Sequence, residues 1–184
     1  MSKIVILQGS PTEKSRLHGV LDRVRLQIED SGAEVSVIQV RDLPAEDLLH
    51  ARFDSQAIAD ANRLVAEADA VIIASPVYKA SFTGILKAYL DLLPQKGLEN
   101  KIVLPLVVGG TIAHLLAIDY AFKPVLSVMG ARNILTGVFV LDTQVKWGED
   151  GRANIDEDIA GRIDAAVSLL VEEAKWQTSR ARSE

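Results

Sequence analysis

Residues 70–84 read AVIIASPVYKASFTG, and the first five of them decide the fold. Ala70–Ala74 is apolar without a break. A strand buried on one face alternates apolar with polar residues, whereas an unbroken run belongs to a parallel sheet covered on both faces. Outward from this stretch, similar runs recur at Lys3–Leu7 (KIVIL), Glu34–Val40 (EVSVIQV), Ile102–Val108 (IVLPLVV) and Asn133–Leu141 (NILTGVFVL). Helical candidates separate them, at 16–31, 54–68, 82–93, 113–129 and 154–177. In the first, Leu17, Val20, Leu21, Val24 and Ile28 recur at helical spacing, and Gly32 ends it. Asp54 and Ser55 are candidate N-caps for the second. Strict alternation predicts an α/β fold: a doubly wound, five-stranded parallel sheet of order 2-1-3-4-5 with helices on both faces. The charged tail after Trp176 is expected to fray.

The chain has 184 residues, enough for one domain spanning 1–184. A net charge of −5 argues against nucleic acid or an anionic membrane as partner. The absence of cysteine excludes disulfides, thiolate metal sites and cysteine nucleophiles. No apolar stretch reaches the ~18 residues of a membrane span. The opening MSKIVILQGSP does not read as a signal peptide, so a cytoplasmic protein is expected.

Ligands of doubly wound sheets bind beyond the carboxyl ends of the strands. After the first strand come Gly9-Ser10-Pro11-Thr12-Glu13-Lys14-Ser15-Arg16. A glycine turn entering a helix N-terminus makes an anion site. Ser10 and Ser15 add hydroxyls, Arg16 adds a fork of donors suited to phosphate, and Glu13 is expected to point away. Neither GxGxxG nor a Walker sequence is present, so a monophosphate fits better than a pyrophosphate. A strand-to-helix turn with Ser15 as a simple N-cap is the bland alternative. After the third strand, the amides of 77–81 are placed to bond the polar edge of a flavin ring, and Tyr78 to pack along it. A proline turn with Tyr78 covering the core edge is the alternative there. After the fourth strand, Gly109-Gly110 permits close backbone approach to a planar ligand, and Thr111 either caps a helix or donates to it. His114 reads as structural. Only one of these loops offers an aromatic, which leaves one ring face open for a nicotinamide.

Three segments carry a family resemblance: GSP…SR, SPVYKASFTGILKAYLDLLP and LPLVVGGTIAHLLAIDYAFKPVL. Over residues 3–145 the chain resembles the NADPH-dependent FMN reductases. The likeness is strongest to those that partner alkanesulfonate monooxygenases, and HARFDSQAI at 50–58 adds to it. The resemblance implies a flavodoxin-like fold, FMN and NADPH as cofactors, and reduced flavin handed to a flavin-dependent monooxygenase in sulfur acquisition. It assigns Ser10, Ser15 and Arg16 to the phosphate. Pro76, Val77, Tyr78, Lys79 and Ser81 go to the ring, with Gly109, Gly110 and Thr111 as its second contact. Many members carry arginine at the position of Thr12 and serine or asparagine at that of Leu17. Both departures weaken the phosphate grip, which favours a flavin that leaves as product.

Helix 113–129 is apolar around nearly its whole circumference, which predicts a homo-oligomer, a tetramer, built on it and on helix 82–93. Pro124 removes the donor for the carbonyl of Tyr120, so a kink or π-bulge is expected there. The resemblance places Tyr120 at a subunit interface near the flavin, with a role in flavin release; a core tyrosine is the alternative. Hydride transfer between two cofactors requires no catalytic side chain, and no triad or metal cluster is legible. Rival readings are a quinone or azo-compound reductase with tightly bound FMN, and a non-catalytic flavin-binding module.

Overall fold

The computed structural model describes residues 1–181. In chain order the elements are β1 (Lys3–Gln8), α1 (Arg16–Asp30), β2 (Glu34–Gln39), α2 (Ala45–Leu49), α3 (Gln56–Glu67), β3 (Ala70–Pro76), α4 (Gly84–Leu90) and β4 (Ile102–Gly109). Then follow α5 (Lys123–Val128), β5 (Asn133–Ile134), β6 (Val138–Leu141), β7 (Val145–Trp147), β8 (Ala153–Ile155) and α6 (Glu157–Ala181). The main sheet runs β2-β1-β3-β4-β5, all parallel, with β6 also on β4. This is the expected α/β order, and it is flavodoxin-like.

Alternate residues of each strand feed opposite faces. Val5, Leu7, Val71 and Ile73 pack with α3, α4 and α5, while Ile4, Ile6, Ile72 and Leu104 pack with α1 and α6. Burial on both faces is the physical reason for the unbroken apolar runs. Ser55, not Asp54, caps α3 by accepting from the Ile58 N–H. Lys101 is buried at the end of that helix, and its Nζ donates to the carbonyls of Ala66 (2.9 Å) and Ala68 (2.7 Å). Burial pulls its pKa below the ordinary lysine value.

Three expectations about the strands and the C-terminal helix change. The fifth strand is cut in two. Ile134 sits opposite Val103 and Val138 opposite Leu106, so the fifth strand holds one residue more than β4 over this interval. Pro105 is the cause: it has no N–H to give, and prolines inside sheets sit at bulges. Gly137 has φ +85°, and a Cβ there would lie 2.8 Å from the Pro105 carbonyl oxygen. Pro105 therefore turns its edge toward the bulge. Second, an antiparallel hairpin, β7–β8, precedes α6. Third, α6 continues past Trp176 to Ala181, so the segment expected to fray is helical that far; 182–184 lie outside the described residues.

Helix 113–129 is not one α-helix. A 3-10 turn (Ile112–His114) leads to a π-helical turn (Ile118–Phe122) and then α5. The π turn falls where Pro124 leaves the Tyr120 carbonyl without its usual donor. Tyr120 is 79% exposed, so it is not a core residue. Ile112, Leu115, Leu116 and Val128 are also exposed. Among the described residues no helix is long and apolar enough to cross a membrane.

Candidate active site

An open groove of about 840 Å³ lies beyond the carboxyl ends of β1, β3 and β4. Buried hydroxyls tie its walls together. Thr83 Oγ1 donates to the Gly9 carbonyl (2.6 Å) and accepts from the Leu86 N–H (3.3 Å). Ser75 Oγ accepts from the Thr83 N–H (3.1 Å) and donates to the Pro76 carbonyl (2.8 Å). The loops after β1 and β3 are thus joined before any ligand arrives.

The first wall is the start of α1. Ser15 is its N-cap, accepting from the His18 N–H. The amides of Arg16 and Leu17 take no protein partner among the described residues, so they and the helix dipole face the groove mouth. Lys14, Ser15 and Arg16 line the groove. Arg16 is not free: its Nε donates to the Val145 carbonyl (3.2 Å), and its guanidinium lies 3.8 Å from Asp142. Ser10 is 1% exposed and lies outside the lining; its Oγ donates to the Thr12 carbonyl (3.2 Å) and shapes the loop. Glu13, expected to point away, lines the groove.

The second wall is the loop after β3. Pro76, Val77 and Tyr78 line the groove, whereas Lys79 and Ser81 do not. The amides of 77–81 are less available than expected. Val77 N–H bonds the Val108 carbonyl (2.8 Å), and Tyr78 and Ser81 exchange N–H···O bonds across a tight turn (2.8 and 3.1 Å). Lys79 (φ +50°) and Ala80 (φ +64°) form that turn, in the left-handed region disfavoured for side-chain-bearing residues. Their two N–H groups are left without a protein partner among the described residues.

The third wall is the end of β4. Gly109 and Gly110 both line the groove, for different reasons. A Cβ on Gly109 would meet the Phe139 ring at 2.6 Å, so this glycine admits core packing. Gly110 faces open space with only Asp142 within 4 Å, so here the backbone is open to a planar ligand. Thr111 caps the 3-10 turn through its side chain and lies outside the lining.

Five lining residues lie outside the three loops and are not expected there from the sequence: His18, Asp22, Asp142, Trp147 and Gly151. Gln8 Nε2 lies 2.9 Å from His18 Nδ1, which fixes the imidazole at the groove floor. Trp147 is a second aromatic, but it sits at the far end, beyond Arg16 and against Gly19 of α1. Among the described residues no cluster could hold a metal ion.

A helix mouth with Lys14 and Arg16 suits a phosphate. Tyr78 and the open Gly110 on the groove walls, with two unpartnered amides in the turn beside Tyr78, suit a planar ring with polar edges. The residues present fit FMN. A family model described as NADPH-dependent FMN reductase matches residues 2–146. The chain belongs to that family. An FMN reductase (NADPH) from Pseudomonas putida is 54% identical over 79% of this chain and 74% of its own length. One from Escherichia coli is 42% identical over 98% and 91%. The solved apo form of an NADH:FMN oxidoreductase (EMOB) superposes with a TM-score of 0.83 at 33% identity, covering 93% of this chain and 89% of its own. As an FMN reductase of this family the chain is an oxidoreductase, with FMN and NADPH as its flavin and electron donor.

Proposed function

We propose that this FMN reductase holds FMN with its phosphate at the start of α1 and its ring against Tyr78. It then releases the reduced flavin to a separate monooxygenase, one that acts on an alkanesulfonate in sulfur acquisition. One observation carries the reading: a single groove collects the α1 mouth, the Tyr78 loop and Gly110. FMN in this position supplies the hydride acceptor for NADPH.

Each wall has a role. Arg16 and the amides of Arg16 and Leu17 hold the phosphate. Ser15 shapes that mouth, and Ser10 shapes the loop behind it. The amides of Lys79 and Ala80 bond the ring edge, Tyr78 packs along the ring, and Gly110 gives it room. Arg16 is already shared with Asp142 and Val145, so the phosphate grip is modest. That supports a flavin that leaves. The exposed face of Ile112, Leu115, Leu116 and Tyr120 supports a homo-oligomer, a tetramer, with Tyr120 at an interface that controls release.

The test is steady-state NADPH oxidation with FMN varied. Saturation in FMN by colourless purified protein is expected. Oxidation no faster than without enzyme would overturn the reading. An NADPH azoreductase from a Bacillus species is 26% identical over 94% of this chain and 97% of its own length, which favours a second reading: an organic acceptor reduced through retained FMN. A yellow protein whose rate is independent of added FMN would favour it.

A further inference from the structure

The groove does not end at the phosphate mouth. Past Arg16 it reaches Trp147 and Gly151. There it meets a second open groove of about 780 Å³ between α1 and the β7–β8 hairpin; Asp22 and Gly151 belong to both. From Trp147 onward the hairpin lies past the residues matched by the family model, which ends at 146. Arg23, Arg25 and Arg152 line the extension.

Trp147 is positioned, not loose. Val145, whose carbonyl holds Arg16, begins the strand that ends at Trp147. Two residues of extended chain carry Trp147 roughly 7 Å past Val145, on the same face of the strand. Gly19 lets it settle: a Cβ there would lie 3.4 Å from the indole and 2.2 Å from Ala153. Trp147 is nonetheless 44% exposed and lines the groove. Of the three arginines, Arg23 is engaged by Asp164 at 2.8 and 2.6 Å and Arg25 by Glu29 at 2.8 Å. The Arg152 guanidinium has no hydrogen bond or ion pair among the described residues.

We propose that this extension is an adenylate subsite. Trp147 stacks the adenine, the Asp22 carboxylate accepts from the exocyclic amine or ribose hydroxyls, and Arg152 faces a phosphate. Every nucleobase has a π-face, so an indole in a groove is a stacking platform. The free carboxylate and free guanidinium are the complementary polar partners. The chemistry is shared by two dinucleotides, FAD and NADPH. In FAD the adenylate continues directly from the flavin phosphate. The inference rests on the flavin site proposed above.

The test uses Trp176→Phe, which leaves Trp147 as the sole indole. AMP is expected to quench its fluorescence saturably. Adding Trp147→Ala is expected to raise the FAD-to-FMN ratio of dissociation constants about tenfold, the loss of one base–aromatic stack. If that ratio is unchanged but the dissociation constant of NADPH rises about as much, the adenylate is that of NADPH and the subsite stands. No AMP quenching overturns it, as does weakening of FMN, FAD and NADPH by one common factor. Arg152→Ala, on the hairpin surface, repeats the test without touching the indole. If wild-type protein binds no FMN, the flavin reading fails, while AMP quenching still decides the subsite.

Discussion

Arg16 carries the largest single consequence in this chain. It stands at a helix mouth among donors, yet Asp142 and the Val145 carbonyl already draw on it. Arg16→Ala is expected to weaken FMN binding by about 1.5–3 kcal/mol, the loss of a charged hydrogen bond. Asp142→Asn is expected to act oppositely, strengthening binding by roughly 0.5 kcal/mol, because the pair is exposed and solvent-screened. Flavin fluorescence titrations of both variants check the signs; weaker binding in Asp142→Asn would mean that Asp142 orients Arg16. Lys101 makes a different kind of prediction. Burial lowers its folded pKa below 10.5, so the unfolded chain binds that proton more tightly. Stability must then rise with pH across the window between the folded and unfolded values. Relative to Lys101→Met, wild-type protein is expected to gain unfolding free energy as pH climbs toward about 10.4. Urea unfolding followed by circular dichroism would show it, and a pH-independent difference would refute it.

Among the elements, strands buried on both faces were the most legible, since only they need unbroken apolar residues. The broken fifth strand had one sign in the sequence, Pro105, which stands inside β4 and shows its effect on the neighbouring strand. The β7–β8 hairpin had none, because each strand is three residues long and partly exposed. The same distinction divides the site. Its phosphate mouth follows from a local sequence, Gly9 to Arg16, and could be read directly. Asp142 and Trp147 reach the groove from elements far along the chain, and only the packing of the hairpin on Gly19 reveals one of them. Glycines show why residue type alone misleads. Gly109, Gly110 and Gly137 look alike in sequence, yet one admits Phe139, one faces the groove and one turns a bulge. Gly137→Ala is expected to cost about 1–3 kcal/mol, since the left-handed backbone and the Pro105 carbonyl both oppose a Cβ. Gly110→Ala is expected to change stability by less than about 0.5 kcal/mol while weakening FMN binding. Denaturant midpoints alongside flavin titrations distinguish the two.

For the whole molecule, the exposed apolar residues around the π turn are the proposed subunit interface. Leu115→Glu with Leu116→Glu is expected to lower the molar mass seen by light scattering without lowering the urea midpoint, because both side chains are already exposed in the single chain. A homogeneous monomer in the wild type would refute the oligomer. The break beside Pro105 bears on the same question from another side. An uninterrupted strand at a sheet rim offers a row of hydrogen-bonding groups to any neighbouring chain and is a template for aggregation. Here that rim is divided into pieces of two and four residues with a left-handed glycine between them. It cannot nucleate a continuous intermolecular sheet. A proline placed for the geometry of one strand thus also protects the crowded protein from fibrous association along this edge.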